Sequence, residues 1–356
     1  MKIRYVFSSP QGDIEANSNI LSLPLKLSLE EEHKWIKLKD YFDIIFHFIE
    51  KRLDLADVKE IIIRSEKYGR FYNVASVELK EKAKNKRYAV LFAIGKFAKK
   101  LEKEFYLTRQ LRQRRRYSKE YLTKYYFLDQ IEINKEKISL IIAEWLDGYY
   151  EWHITEDGNI CVWDTKKGYY LLKSSACYDL YKKCAFLLTY FFDPNTYCQI
   201  YPWHHSAGDF VLKEGRIINV KLTTVRNYEP VFSTTDNTFP YLGLVYFLLN
   251  MSMKMRLDKK DGTGQVLIAP KIFVKYTIEG FIEGLKALVS EGLLSKKQKD
   301  DLIRILKLFN KNELLLLFYS MLEHYNQEDP LDIPVILQNA EDHINYLYHC
   351  LQTHLP

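Results

Sequence analysis

Tyr201-Pro-Trp-His-His-Ser-Ala-Gly-Asp-Phe-Val-Leu-Lys-Glu-Gly-Arg-Ile-Ile-Asn-Val220 is the stretch on which the reading of this chain turns. Its first half is a polar loop. Its second half reads as a short strand, a turn through Glu214-Gly215 and a second strand. The spacing therefore sets His204, His205 and Asp209 at the lip of a hairpin. Imidazole and carboxylate at such a place suit general-base catalysis or metal ligation.

Working outward, 40–53 puts Tyr41, Ile44, Ile45, Phe48 and Ile49 on one helical face. Strands are expected over 58–64, 73–79 and 87–94, with a turn through Tyr68-Gly69-Arg70 between the first two. A charged helix over 99–113 follows, then strands over 122–131 and 137–145, which stop at Leu146-Asp-Gly148. A small hairpin over 154–161 leads into helical patterns at 176–192, 241–255, 277–291, 296–325 and 342–355. Residues 1–35 hold turn-formers and little periodicity, and read as an irregular leader. Strands first and helices afterwards define an α+β chain with two lobes.

The 356 residues suffice for two cores, and 47% apolar with 15% aromatic content excludes a disordered chain. A net charge of +6 permits an anionic ligand without singling out nucleic acid. The 5 cysteines form no CxxC pair, which favours reduced thiols and a cytoplasmic protein. The N-terminus lacks the apolar core of a secretory signal, and 239–253 is too short for a membrane span and contains Asn250.

Three segments in this order resemble the kinase-like fold, in its aminoglycoside phosphotransferase and choline kinase branch. Ile138-Ser-Leu-Ile-Ile-Ala-Glu-Trp-Leu-Asp-Gly148 looks like the last strand and hinge of that family. The resemblance implies that backbone groups of Glu144, Trp145 and Leu146 contact an adenine edge. Glu104-Phe-Tyr-Leu-Thr-Arg-Gln-Leu111 sits where the family has a helix Glu paired with a strand lysine. The loop at 204–209 and its hairpin stand where the family has its catalytic loop. The resemblance spans roughly 58–220. It implies a small, mainly antiparallel N-terminal lobe (36–148), a larger helical C-terminal lobe (149–356) with the hairpin at 200–220, and a cleft between them. The expected activity is transfer of a phosphoryl group from magnesium-ATP or magnesium-GTP to a small hydroxylated acceptor.

Two registers of the loop stay open. If Phe210-Val-Leu212 fixes the alignment, Asp209 replaces a magnesium-binding Asn and His204 stands at the position of the catalytic base. If Gly208-Asp209 ends the family's His-Gly-Asp, Asp209 is itself the base. Hairpin geometry favours the first, with Asp209 as metal ligand and His204 or His205 as base. The departures are substantial. The strand 88–94 has no lysine, and the nearest is Lys96, beyond Gly95. Lys221 falls where the family has its second magnesium carboxylate. The turn around Gly69 has one glycine rather than several. Either a rearranged set works here, or the chain is a pseudoenzyme that serves as a binding module. A second carboxylate beside Asp209, such as Asp258 or Asp261, would favour catalysis.

Other motifs have plainer explanations. Arg256-Leu-Asp-Lys-Lys-Asp-Gly-Thr-Gly264 lacks the ligand spacing of a calcium loop and reads as a turn. Trp145, Trp152, Trp163 and Trp203 suit core packing before stacking on a ligand. Arg226 suits pairing with an acid or a phosphate. Gln110-Leu-Arg-Gln-Arg-Arg-Arg-Tyr117 suits a solvated helix end, with a nucleic-acid or acidic partner as the alternative.

Overall fold

In a computed structural model of the chain, residues 1–9, 12–26, 32–68, 71–82, 84–164, 168–203, 209–231, 241–260 and 264–355 are described. The chain divides into two compact units, Met1–Asp147 and Gly148–Pro356.

The first unit begins with β1 (Lys2–Phe7), β2 (Ile14–Glu15), a short helix α1 (Ser18–Leu21), the pair β3 (Pro24–Lys26) and β4 (Glu32–Lys37), and α2 (Leu38–Arg52). It continues through β5 (Val58–Tyr68), β6 (Asn73–Glu81), β7 (Asn85–Ile94), α3 (Lys96–Arg114), α4 (Ser118–Tyr121), β8 (Tyr125–Ile133) and β9 (Glu136–Glu144). One seven-stranded sheet runs in the order β2-β1-β5-β6-β7-β9-β8. All its pairings are antiparallel except that of β1 with β5. Within the segment read as an irregular leader, β1 therefore belongs to the sheet. The alternation in Lys2-Ile-Arg-Tyr-Val-Phe7 builds a strand, which the turn-formers after it obscure.

Period-two alternation gives the sheet two apolar faces. Ile61, Ile63, Ala75, Val77, Val90, Phe92, Ile94, Ile138, Leu140 and Ile142 face one way and bury Tyr41, Phe42, Ile45, Phe48 and Ile49 of α2. Each such side chain contributes about 1.5–3 kcal/mol of burial. Leu91, Ala93, Tyr125, Ile141 and Ala143 face the other way and receive Leu101 and Phe105 of α3. Gly95, at φ +60°, makes the turn from β7 into α3 in a left-handed conformation that side chains resist.

The second unit opens with a three-stranded antiparallel sheet, β10 (Glu151–Ile154), β11 (Ile160–Asp164) and β12 (Gly168–Leu171), and then α5 (Ser174–Tyr190). β13 (Cys198–Ile200) pairs with β16 (Tyr228–Pro230) around the hairpin of β14 (Phe210–Lys213) and β15 (Asn219–Leu222). After α6 (Leu242–Lys254), the 256–264 segment is part of a hairpin between β17 (Leu257–Lys259) and β18 (Val266–Ile268). The rest is helical: α7 (Phe273–Ser290), α8 (Lys296–Leu308), α9 (Lys311–Tyr319), α10 (Leu322–Glu328) and α11 (Ile333–His354). The single helix expected over 296–325 is broken into three. Asn310 ends the first break as an N-cap, and Glu313 completes its capping box. Among the described residues no helix is long and apolar enough to cross a membrane.

Two features hold this unit together. Gly280 and Gly284 let α7 lie directly on α5: a Cβ at Gly280 would collide with the Lys182 carbonyl, and one at Gly284 would lie 2.5 Å from Thr189 Cβ. The second is a buried charge cluster, in which Lys254 Nζ donates to Glu328 Oε2 at 2.6 Å and lies near the rings of Tyr201 and Tyr325. His324 Nε2 stands 3.2 Å from the other Glu328 oxygen. Burial by itself would raise the Glu328 pKa. The hydrogen bond from His324 and the charge of Lys254 outweigh burial and bring it from the ordinary 4.5 down to about 2.

Two outcomes are expected. Gly280→Ala lowers stability in chemical denaturation by about 1–3 kcal/mol, because the added methyl would meet backbone and the Ala185 methyl, neither of which can swing aside. Glu328 contributes about 3 kcal/mol that is present above pH 4.5 and lost as pH falls towards 2, since its folded pKa is depressed. Denaturation midpoints across that window should fall with pH in the parent and fall less in Glu328→Gln.

Candidate functional site

The hairpin of β14 and β15 buries Phe210, Leu212, Val220 and Leu222 on one face and turns Val211, Lys213, Asn219 and Lys221 to the other. At its base, Asp209 is 1% exposed. Arg226 embraces its carboxylate, Nη1 donating to Oδ2 at 2.5 Å and Nη2 to Oδ1 at 2.6 Å. Thr224 Oγ1 also donates to Oδ1, at 2.9 Å. The Asp209 carbonyl accepts from the Thr223 N–H at 2.9 Å and from its hydroxyl at 3.0 Å. These bonds tie the entry of β14 to the residues that leave β15. The carboxylate is thus neutralised by a planar guanidinium in bidentate geometry.

A magnesium ion approaching this carboxylate would meet the guanidinium charge held against both of its oxygens. Among the described residues, no group of three or more His, Cys, Asp and Glu side chains could hold a metal. Asp258 does not serve as a second ligand here. It accepts from His153 Nδ1 at 3.0 Å and from the Ile154 and Lys259 N–H groups, both at 2.8 Å. His204, His205 and Asp261 lie outside the described residues, as do Gly69 and Arg70. The donor set that is described does not fit a magnesium nucleotide, and no chemical step is derived through one.

Lys221 stands on β15 opposite Val211. Its Nζ lies 6.0 Å from the ring centre of Tyr149, and that of Lys213 lies 5.7 Å from the same ring. Two ammonium groups therefore lie near one aromatic ring.

In the first unit, Glu104 is buried on α3 and accepts from Tyr125 Oη at 2.8 Å. On the α3 side of β7, Ala89, Leu91 and Ala93 meet the helix, and Arg87, in the same alternation, is held by Glu66 and Ser76. The strand starts earlier than the sequence suggests and does contain a lysine. That residue, Lys86, lies in the alternation of the opposite face and pairs with Glu81 at 2.7 Å. Lys96 opens α3, and its Nζ lies 5.1 Å from the Phe97 ring centre. Eight residues, about 12 Å of helix axis, separate it from Glu104, beyond the reach of its side chain.

The segment compared with a hinge leaves the sheet after β9. The Glu144 side chain accepts from the Lys124 N–H at 2.7 Å, and the Glu144 N–H donates to the Lys124 carbonyl at 2.8 Å. Arg112 Nη1 is 3.9 Å from the same carboxylate. Burial, partly offset by Glu144, lowers the Arg112 pKa. Glu144 thus anchors the start of β8. Trp145 carries the Arg87 guanidinium 4.0 Å above its ring. Arg87 Nη2 in turn donates to Glu66 and to Ser76 Oγ, each at 3.1 Å. Leu146 is half-buried in the connector.

Two histidine constellations went unseen in the sequence. His153 is fixed by Asp258 and lies 4.0 Å from the Trp163 ring centre. His343 is fully buried between Ser252 Oγ and Arg256 Nη1, each at 3.0 Å. Arg256 can only donate, so His343 Nδ1 accepts and Nε2 carries the proton toward Ser252. Burial, and then the Arg256 charge, push its pKa well below the usual value and keep it neutral. Its partners lie 91 and 87 residues away, which no local pattern reveals.

No family model matches the chain, and no curated protein does. Among solved structures, one similar to it is the crystal structure of a kinase domain. The two are 14% identical, the match covers 85% of this chain and 88% of that chain, and the TM-score is 0.33. A superposition that loose transfers no residue roles.

The buried pair gives a direct test. Arg226→Ala strands a carboxylate that is almost wholly buried and should lower stability by about 3–5 kcal/mol in urea denaturation. Arg226→Lys should recover only part of that loss, because an ammonium cannot repeat the two-pronged contact.

Proposed function

We propose that this chain is a catalytically silent kinase-like protein, a binding module on a scaffold of the phosphotransferase type. Support for the scaffold comes from the succession of elements. Three antiparallel strands lead into a helix with a buried Glu104, two further strands, a hinge-like connector and a hairpin headed by Asp209. The observation that carries the silence is the bidentate pairing of Asp209 with Arg226. The residue best suited to bind a metal is satisfied without one.

The first unit agrees with this reading independently. A phosphate-anchoring lysine paired with Glu104 would have to stand on the α3 face of β7. Ala89, Leu91 and Ala93 take the places nearest the helix, the cation of that alternation, Arg87, is bound by Glu66 and Ser76, and Glu104 accepts from Tyr125. The contrasting reading is transfer from magnesium-ATP or magnesium-GTP to a small hydroxylated acceptor, with His204 or His205 as base. It requires Arg226 to release Asp209 and a new cation to replace the strand lysine.

Differential scanning fluorimetry separates the two. A silent module should melt at the same temperature with and without millimolar magnesium-ATP or magnesium-GTP, and EDTA should make no difference. A ligand bound at a hundredfold excess over its Kd adds about 2.7 kcal/mol, or roughly 5 °C. A rise of that size that EDTA abolishes, with nucleotide turnover lost in Asp209→Asn, would overturn the proposal.

A further inference from the structure

The chain's positive charge is not spread over its surface. Residues 96–119 contain ten lysines and arginines against Glu102 and Glu104, a net +8, so all other residues together carry −2 of the chain's +6. Glu104 is buried, and Glu102 is bound by Lys137 at 2.8 Å. Nearly the whole excess therefore belongs to α3 and the turn after it.

Packing decides where that charge points. Ala98, Leu101, Phe105, Thr108 and Leu111 bury one side of α3. Lys99, Lys100, Lys103, Arg109, Arg114 and Arg116 are all exposed. Several lysines at the surface elsewhere lie beside carboxylates: Lys51 with Asp129 at 2.8 Å, and Lys80 with Glu60, Lys182 with Glu283 and Lys271 with Asp342, each at 2.7 Å. Among the described residues, no carboxylate lies within ion-pairing distance of Lys100, Lys103, Arg109 or Arg116. Like charges crowded on one helix destabilise it, so a solvated face alone gives no reason for the crowding. A polyanionic partner does.

The residues between the cations say which polyanion fits. Lys99, Lys103, Tyr106, Gln110 and Gln113 follow the 4-3-4-3 spacing of one helical face. Tyr106 is 59% exposed, with nothing but charged and amide side chains around it on that face. An interfacial membrane helix needs an apolar side for the lipid, and the apolar side of α3 is used by the sheet. Cations, side-chain amides and an exposed aromatic along about 28 Å of helix are instead the groups that contact sugar-phosphate backbone and stack on bases.

We propose that the outer face of α3 and the following turn form a binding surface for a nucleic-acid backbone. This surface is independent of the Asp209 site and of the silence proposed for it. Fluorescence anisotropy of the full chain with labelled oligonucleotides of about 20 nucleotides, RNA and DNA, single- and double-stranded, tests it across a salt series. Binding should weaken steeply with salt, and the four arms identify the preferred backbone. The triple variant Lys99→Glu, Lys103→Glu and Arg114→Glu should lose about tenfold or more in affinity, with the log–log salt slope shallower by about 2. The milder Lys→Gln and Arg→Gln triple should lose less, with an unchanged circular dichroism spectrum. Lys296→Glu with Lys297→Glu, on the exposed start of α8, should change affinity less than twofold.

Equal loss in the α8 control, binding insensitive to salt, or no binding by the parent protein would each overturn the proposal. So would tighter binding to anionic vesicles or polyglutamate than to any oligonucleotide at equal charge concentration.

Discussion

A carboxylate with 1% exposure must be protonated, bound to a cation or matched by donors, and Asp209 is matched by Arg226. That pairing organises its surroundings. It closes the entry of β14 on the exit of β15 through Thr223 and Thr224, and so fixes the lip of the hairpin. It also sets the chemistry, because a guanidinium occupies both oxygens. In the first unit Glu104 is likewise buried and accepts from Tyr125. In both units a buried carboxylate is met by donors from the protein itself.

The energetics of buried pairs make this arrangement resistant to single changes. Replacing an ion pair by well-packed apolar residues costs little, but removing one partner alone is expensive. Once Arg226 is in place, Asp209 cannot change singly without loss. The Lys254–Glu328 pair obeys the same rule, with His324 and two tyrosine rings completing the enclosure. Charge is treated differently on the outer side of α3, where, among the described residues, Lys100, Lys103, Arg109 and Arg116 stand exposed without a carboxylate at ion-pairing distance.

Much of the fold could be read along the chain. The strand–helix–strand order from Val58 to Glu144, the hairpin after Asp209 and most helices follow from period-two and period-3.6 patterns. The errors have specific causes. Strand β1 was masked by the turn-formers after it, and its partner β5 lies more than fifty residues on. The break at Asn310 was written in its capping box with Glu313, but the apolar run across it suggested one helix. Lys86 was missed because β7 begins three residues before the apolar run does.

The sequence by itself determined the elements and their order, because local periodicity reports which side of each element is apolar. It also determined that the positive charge is concentrated in residues 96–119, since composition needs no fold. Only the tertiary structure decided what the polar residues meet. Asp209 finds Arg226 seventeen residues away, Glu104 finds Tyr125, and Asp258 finds His153 at a separation of 105 residues. Burial decides whether such a group can remain charged, and burial comes from strands and helices packing across the whole unit. The sequence can nominate a carboxylate, but its partner settles whether it binds a metal or holds the fold together.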